Sequence, residues 1–146
     1  MIEIDKLSRP DLEHIWANIR DHDRRELKLF GYPDAVPLAH LDQRVALVGR
    51  VDGVPVITFG LYEGERTVVV WAFATPEITK YWKSATQGAR ALLDWAQVEY
   101  PDRPILALVW DGHDASKRWL GRMGFEPTKH RFRRDGEGMT WMELRG

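Results

Sequence analysis

The stretch "VWDGHDASKRWLGRMGFEP", residues 109–127, changes its character several times over a short length. It begins at the end of an apolar run and breaks at Asp111 and Gly112. Apolar residues then recur at the spacing of one helical face. Gly124 supplies a left-handed helix stop, and Phe125 begins a new strand. The stretch therefore predicts a strand, a short helix and a further strand in direct succession.

The segment before this stretch predicts a crossover between parallel strands. Residues 67–74 and 105–110 are almost continuously apolar, which is typical of strands covered on both faces. Between them, residues 84–104 carry Ala and Leu at helical spacing, and Tyr100 and Pro101 end that pattern. A strand, a helix and a strand of these lengths favour a right-handed crossover, so the sheet is expected to become parallel here.

The remaining segments predict an antiparallel sheet preceded by helices. Residues 44–53, 54–64 and 66–75 are rich in β-branched and aromatic residues and end at turn residues, which is typical of a meander. A short strand at residues 2–4 and an amphipathic stretch at residues 8–33, either one helix or a broken pair, come before it.

A hairpin is predicted near the end of the sequence, with residues 135–138 as its turn and residues 139–144 as its return strand. The element order is then β, one or two helices, βββ, helix, β, helix, ββ. We expect one α/β (α+β) domain over residues 1–146. Its sheet should be mixed and mostly antiparallel, with a central parallel βαβ crossover and helices on both faces.

Composition excludes several classes of function. The 21 Lys and Arg nearly balance the 22 Asp and Glu, so neither nucleic acid nor a membrane is an expected partner. The absence of Cys excludes disulfides, thiolate metal sites and a Cys nucleophile, and we expect no metal. With no apolar leader and no spanning run, the protein is expected to be soluble and cytoplasmic.

The connection into the crossover helix, residues 75–86, is a candidate anion site. It follows the carboxyl end of a central strand, where free N–H groups and the helix dipole favour an anion. Lys80 and Lys83 add positive charge nearby. An ordinary helix start with small capping residues is the alternative interpretation.

This element order, with the ending "RMGFEP" at residues 122–127, resembles the GNAT (Gcn5-related N-acetyltransferase) superfamily. The resemblance implies a cleft between two splayed parallel strands, acetyl-CoA (or CoA) as the cofactor, and a small-molecule or peptide amine as the acceptor. It implies that the pantetheine arm pairs along the first strand and that the pyrophosphate binds before the crossover helix. The residues implied for cofactor binding are Trp71, Ala72, Phe73, Ala74, Lys83, Ser84, Ala85, Thr86, Gln87 and Gly88.

The catalytic groups that the resemblance implies depart from the family pattern. The position of the usual acid, a Tyr, holds Leu120, which cannot donate a proton. The Asn often found at the start of the last helix corresponds to His113, which is either an acid near neutral pH or a solvated or capping residue. Glu77 and Glu65 are candidate bases, although exposed carboxylates beside turns are common. Thr86 also replaces the middle Gly of the family's phosphate loop.

A closer resemblance is carried by "FGLYEGERTVVVWAFATPEI" at residues 59–78, "ALLDWAQVEYPDRPILALVW" at residues 91–110, and "RWLGRMGF" at residues 118–125. These segments look like GNAT-like proteins of tailed bacteriophages, of the internal virion or assembly type. Two functions follow. The first is transfer of an acetyl group from acetyl-CoA to an amine. The second is a catalytically degenerate interaction module for virion assembly, with phage structural proteins as partners, in the host cytoplasm or the virion.

Overall fold

The chain forms the elements in the order that the sequence predicts. The computed structural model describes residues 1–145. Its strands and helices are β1 (Glu3–Lys6), α1 (Arg9–Ala17), α2 (Asp21–Leu29), β2 (Val45–Val51), β3 (Val54–Glu63), β4 (Val68–Ala74), α3 (Trp82–Glu99), β5 (Ile105–Trp110), α4 (Asp114–Arg122), β6 (Phe125–Arg134) and β7 (Glu137–Leu144). Two short 3-10 helices, Leu38–Asp42 and Pro76–Lys80, lie in the connections.

All seven strands join one sheet in the order β1-β2-β3-β4-β5-β7-β6. The β4–β5 pair is parallel, and the other pairs are antiparallel. The predicted mixed sheet with a central parallel crossover is therefore confirmed. The segment "KHRFRR", residues 129–134, is rich in basic side chains and lies on β6, an edge strand, where charge protects against strand addition. Within the described residues, no helix has both the length and the apolar composition that a membrane span requires.

The two parallel strands separate after a short ladder. Pairing between β4 and β5 runs only from Val68 with Ile105 to Val70 with Ala107. Beyond that point β4 stays paired with β3, and β5 stays paired with β7. An opening therefore forms in the centre of the sheet, between the carboxyl-terminal halves of β4 and β5.

Helices cover both faces of the sheet. On one face, α3 buries Leu92 and Leu93 against the strands, and α4 adds Leu120 to the same apolar cluster. On the other face, α1 buries Leu12 and Ile15 in a second cluster. Each fully buried Leu or Ile contributes about 1.5–3 kcal/mol through removal of its surface from water. The two clusters hold the open strands between two apolar layers.

The crossover helix begins earlier than the sequence predicts. A connecting loop was expected over residues 75–86, but the 3-10 helix Pro76–Lys80 is followed at once by α3. Residues 83–88 therefore lie in the first turns of a helix rather than in a loop. The propensity pattern missed this start because no capping side chain marks it and Gly88 lowers helix propensity.

The last hairpin is tighter than predicted. Its turn consists of Asp135 and Gly136, both with positive φ, at 51° and 77°. Two-residue turns of this kind match the twist of the flanking strands. Glu137 therefore already belongs to β7, pairing with Arg134, where the sequence predicted a turn residue.

The start of α1 is fixed by a capping box. The Ser8 side chain accepts a hydrogen bond from the Asp11 N–H, and the Asp11 carboxylate accepts one from the Ser8 N–H at 3.1 Å. Arg50 of β2 donates two further bonds to Asp11, at 3.0 and 2.7 Å. Burial raises the pKa of Asp11, but the hydrogen bonds from Arg50 and Ser8 together lower it by more, so the pKa lies below the ordinary 3.8.

Replacing Asp11 with Ala should lower the free energy of unfolding by about 2 kcal/mol at pH 7, because both the cap and the acceptor for Arg50 are lost. Because the folded-state pKa is lowered, this contribution is complete above pH 3.8 and is lost as the pH falls through the folded-state value. Urea unfolding of both proteins over that pH range checks the prediction. Asp5→Ala is the control, since the exposed Asp5 contacts the same Arg50 at 3.2 Å. An equal loss in both variants would contradict a special role for Asp11.

Candidate active site

A cavity of about 580 Å³ occupies the opening between β4 and β5. All of residues 69–74 of β4 line it. Because consecutive strand residues point to opposite faces of a sheet, this cavity reaches both faces. Trp82, Trp119 and Leu120 line it on the α3 face, and Leu27 lines it on the α2 face. The opening is therefore a passage through the sheet.

Two peptide groups face this passage. Thr75 N–H donates to β3 and Asp111 N–H donates to β7, each at 2.9 Å. Along a strand, successive residues direct their N–H and C=O groups alternately toward one neighbouring strand and away from it. Ala72 and Leu108 lie three residues before Thr75 and Asp111, so their peptide groups point away from β3 and β7 and into the opening. In the last pair of the β4–β5 ladder, Val70 with Ala107, the Leu108 N–H donates to the Val70 carbonyl. Beyond that pair, the ladder leaves the Ala72 N–H, the Ala72 carbonyl and the Leu108 carbonyl unpaired among residues 1–145. The opening thus presents unpaired main-chain donors and acceptors to a ligand.

Helix α2 bridges the separated ends of the two strands. Asp23 Oδ2 accepts a hydrogen bond from the Ala74 N–H at 2.8 Å, and Glu26 Oε2 accepts one from the Trp110 N–H at 3.0 Å. The Arg20 N–H donates to the Ala74 carbonyl at 3.0 Å. One turn of α2 therefore replaces the missing strand partner at both strand ends.

His113 lies between these two carboxylates. Its Nδ1 is 3.2 Å from Glu26 Oε2, and its Nε2 is 3.6 Å from Asp23 Oδ1. The side chain is 2% exposed, and Nε2 has no hydrogen-bond partner in the described part of the chain. His22 stacks on its ring at 5.3 Å between centroids. Arg20 donates two hydrogen bonds to Asp23, at 2.9 and 3.0 Å.

Glu26 has the properties of a general base. Burial raises the pKa of its carboxyl group, and the hydrogen bond and charge of His113 lower it only in part. Its Oε2 is occupied by Trp110 and His113, whereas no hydrogen bond from residues 1–145 reaches Oε1. Because Glu26 also lines the cavity, this oxygen can accept a proton from a molecule in the passage.

The same three side chains were tested as a metal site. One ligand atom each of Asp23, Glu26 and His113 lies within 4.8 Å of the others. However, Arg20 and the Ala74 N–H already use the Asp23 oxygens, and the Trp110 N–H uses Glu26. Both Asp23 oxygens and Glu26 Oε2 are thus already bonded by the protein, so the three side chains fit a hydrogen-bonded clamp better than an ion site.

The structure places the residues predicted for cofactor binding in two groups. Trp71, Ala72, Phe73 and Ala74 line the cavity. Lys83, Ser84, Ala85, Thr86, Gln87 and Gly88 lie in the first turns of α3. The Thr86 hydroxyl donates to the Trp82 carbonyl at 2.7 Å and accepts from Trp119 Nε1 at 2.8 Å, which ties α3 to α4. Lys83 is exposed and forms no ion pair with any of residues 1–145.

The predicted catalytic residues are separated from one another. His113 does not line the cavity, and it is connected to the cavity through Glu26. Glu77 is exposed and pairs with Lys80 at 3.2 Å. Glu65 lies in the exposed β3–β4 turn, at the end of β4 opposite the opening. Neither Glu77 nor Glu65 lines the cavity, and their predicted roles as bases stay predictions.

Sequence reasoning missed Glu26 and Asp23. Both lie in "DHDRRELKL", residues 21–29, a helix of mostly charged residues that resembles a solvated surface. Their separation by one helical turn was the available signal. Ser116 was also missed, and it lines the cavity one turn before Leu120.

A search with the sequence finds no matching family model and no significant match among curated proteins. Solved structures match the whole fold. Ard1 from Thermoplasma volcanium is 17% identical with a TM-score of 0.71, over 99% of each chain. A GNAT-family acetyltransferase from Bacillus anthracis is 16% identical with a TM-score of 0.70, over 98% of this chain and 93% of the other. An acyl-CoA N-acyltransferase from Pseudomonas aeruginosa is 16% identical with a TM-score of 0.61, over 99% of this chain and 100% of the other. The chain therefore has the GNAT fold.

Replacing Asp23 with Ala should lower the free energy of unfolding by about 3 kcal/mol, because it leaves Arg20 and the Ala74 N–H without their buried partner. Hydrogen exchange at the Ala74 amide should also become faster. Asp21→Ala, in the exposed first turn of the same helix, is the control and should cost less than about 1 kcal/mol. Equal losses in the two variants would show that α2 does not hold the strand ends in this way.

Proposed function

We propose that the protein is an acyl-CoA-dependent N-acyltransferase that transfers an acetyl group to an amine. The observation that carries this proposal is the passage between β4 and β5, where the Ala72 N–H, the Ala72 carbonyl and the Leu108 carbonyl face a cavity that reaches both faces of the sheet. Such groups can hold the amides of a pantetheine arm by strand-like pairing. The fold shared with GNAT acetyltransferases supports the same conclusion.

The start of α3 supports a phosphate site. No side chain caps this helix, so its first N–H groups are available to an anion. Lys83 lies in the first turn of α3, and Lys80 lies two residues before the helix begins. These residues would hold the pyrophosphate of CoA, with Lys83 as the principal countercharge.

The role of the chain's own residues in this reaction is to remove a proton from the attacking nitrogen. Acetyl-CoA, when bound, supplies an acetyl thioester. Glu26 accepts the proton of the attacking nitrogen at Oε1, and His113 orients the carboxylate from the far side. The carbon–nitrogen bond forms as the carbon–sulfur bond breaks. One proton leaves nitrogen and one is returned to sulfur, so no further reactant is needed. Ser116 lies one turn before Leu120 on α4 and lines the same cavity, so its hydroxyl can act as a proton donor where Leu120 cannot.

One observation favours a second candidate function. Leu120 forms part of the cavity wall where the family's proton donor is expected, which suits a protein that has kept the fold without turnover. The alternative is thus a GNAT-fold module, of the phage virion-assembly type that the sequence resembles. It predicts no productive binding of acetyl-CoA.

Isothermal titration calorimetry should detect saturable binding of acetyl-CoA and CoA to the wild-type protein. Lys83→Ala should weaken this binding about threefold to tenfold, most strongly at low salt, because the lysine acts through a screened charge interaction. Lys129→Ala, which removes an exposed lysine from β6, is the matched control and should leave the affinity unchanged. No binding at millimolar acetyl-CoA would contradict the acyltransferase and favour the assembly module.

Replacing Glu26 with Gln should lower kcat by about 10²–10⁴ with little change in acetyl-CoA affinity, because Gln cannot accept the proton. Since burial raises the pKa of Glu26, the wild-type kcat should decline on the acid side at a pH above the ordinary Glu value of 4.5. His113→Leu should move this decline to higher pH, because the bond that favours the carboxylate is lost. Glu77→Gln is the control. A loss of kcat in Glu77→Gln with retention in Glu26→Gln would assign the base to Glu77.

A further inference from the structure

The part of the cavity on the α2 face has a distinct lining. Its walls come from α2, the segment after α2, β4 and the last two strands, and are mostly aromatic. We call this part the acceptor chamber and define it by Leu27, Phe30, Tyr32, Trp71, Phe132 and Trp141. A pocket with such walls takes an apolar body, because burying aromatic and aliphatic surface together is favourable.

The wall formed by Trp71 is fixed in position. Its indole contacts His40 edge to face at 4.5 Å and stacks with Phe73 at 5.8 Å. Gly60 leaves the space that the indole needs, since a Cβ at that position would lie 2.7 Å from Trp71 Cζ2. Burial lowers the pKa of His40, so this neighbour is neutral at physiological pH. The wall is therefore rigid and uncharged.

The charged side chains of the cavity lie together on α2 and at its N-cap. Among the described residues that line it, the charged ones are Arg20, Asp23 and Glu26. Arg20 and Asp23 are paired through two hydrogen bonds, with side-chain exposures of 16% and 1%. Glu26 Oε1 is then the charged atom left to a ligand. One negative group at the end of an aromatic chamber matches a ligand with one positive group on an apolar body.

We infer that the acceptor is a primary amine on an apolar, preferably aromatic, body that carries neither a carboxylate nor a second charge. The inference rests on the proposed function and names the substrate class of the same site. The ammonium group pairs with Glu26, and one of its protons is released to solvent before reaction. The neutral amine then attacks, and the second proton, which Glu26 accepts as the amide forms, balances the one returned to sulfur. The body packs against Trp71, Phe132 and Trp141. A ligand carboxylate would find no available cation, because Arg20 is held by Asp23. A second ammonium would be buried without a partner.

The test compares three amines in an assay that follows the release of free thiol from acetyl-CoA. They are 2-phenylethylamine, L-phenylalanine, which adds a carboxylate, and putrescine, which adds a second charge. The kcat/KM for 2-phenylethylamine should exceed each of the others by about tenfold or more, because a buried unpaired charge is rejected strongly.

The variant Phe132→Ala tests the chamber itself. Phe132 is half-buried on an edge strand, so its removal leaves the core intact. The KM for 2-phenylethylamine should rise about fivefold or more, with acetyl-CoA affinity within about twofold of wild type. Trp95→Leu is the matched control, because Trp95 is 39% exposed on α3 and lies outside the cavity. An equal rise in both variants would contradict the chamber.

Failure of the inference and failure of the proposed function give different results. If acetyl-CoA binds and L-phenylalanine or putrescine is acetylated in preference to 2-phenylethylamine, the inference is overturned and the acyltransferase stands. Calorimetry of 2-phenylethylamine without acetyl-CoA gives a separate measure of the chamber. Binding that Phe132→Ala weakens, together with no thiol release, would support the chamber's ligand class and contradict the acyltransferase. Absence of binding by both ligands would overturn both.

Discussion

The separation of β4 and β5 is the constraint on which the rest of the structure depends. A sheet buried between two apolar layers cannot leave peptide groups unpaired without cost, and each such group is worth about 1–3 kcal/mol. The chain meets this cost at the strand ends with two carboxylates of α2, which accept the N–H groups of Ala74 and Trp110. It leaves the Ala72 N–H and carbonyl and the Leu108 carbonyl, in the middle of the opening, for a ligand.

This solution brings its own electrostatic demand. Two carboxylates placed inside the protein require positive charge or strong donors, and the structure supplies Arg20 for Asp23 and His113 for Glu26. The pairing is unequal, because Arg20 saturates Asp23 whereas His113 bonds only one oxygen of Glu26. The raised pKa of Glu26 follows from its burial, which the single hydrogen bond of His113 offsets only in part. The α2 carboxylates that bond the strand ends thus also include a proton acceptor, Glu26, beside the opening.

The sequence predicts those parts of the fold that rest on local patterns. Apolar runs identify β4 and β5, helical spacing identifies α3, and Gly124, with a φ of 101°, ends the last helix as expected. The α3 start was misplaced because no capping side chain marks it. Glu26 was missed for a related reason. Its function comes from a bond to Trp110, 84 residues away, and no local pattern distinguishes it from a solvated glutamate.

Helix α2 connects the two halves of the proposed chemistry. The turn that carries Glu26 also carries Leu27 of the acceptor chamber, and Phe30 of the chamber directly follows the helix. A shift of this helix would therefore move the base and the acceptor wall together while leaving the peptide groups of β4 in place. Because Asp23 ties the helix to Ala74, such a shift is resisted at the strand that would hold the pantetheine arm. In the proposed reaction, α2 thus contributes to both acceptor recognition and proton removal, and Leu120 on α4 lies outside it. Loss of a proton donor at Leu120 would then affect the return of a proton to sulfur without disturbing amine binding or deprotonation.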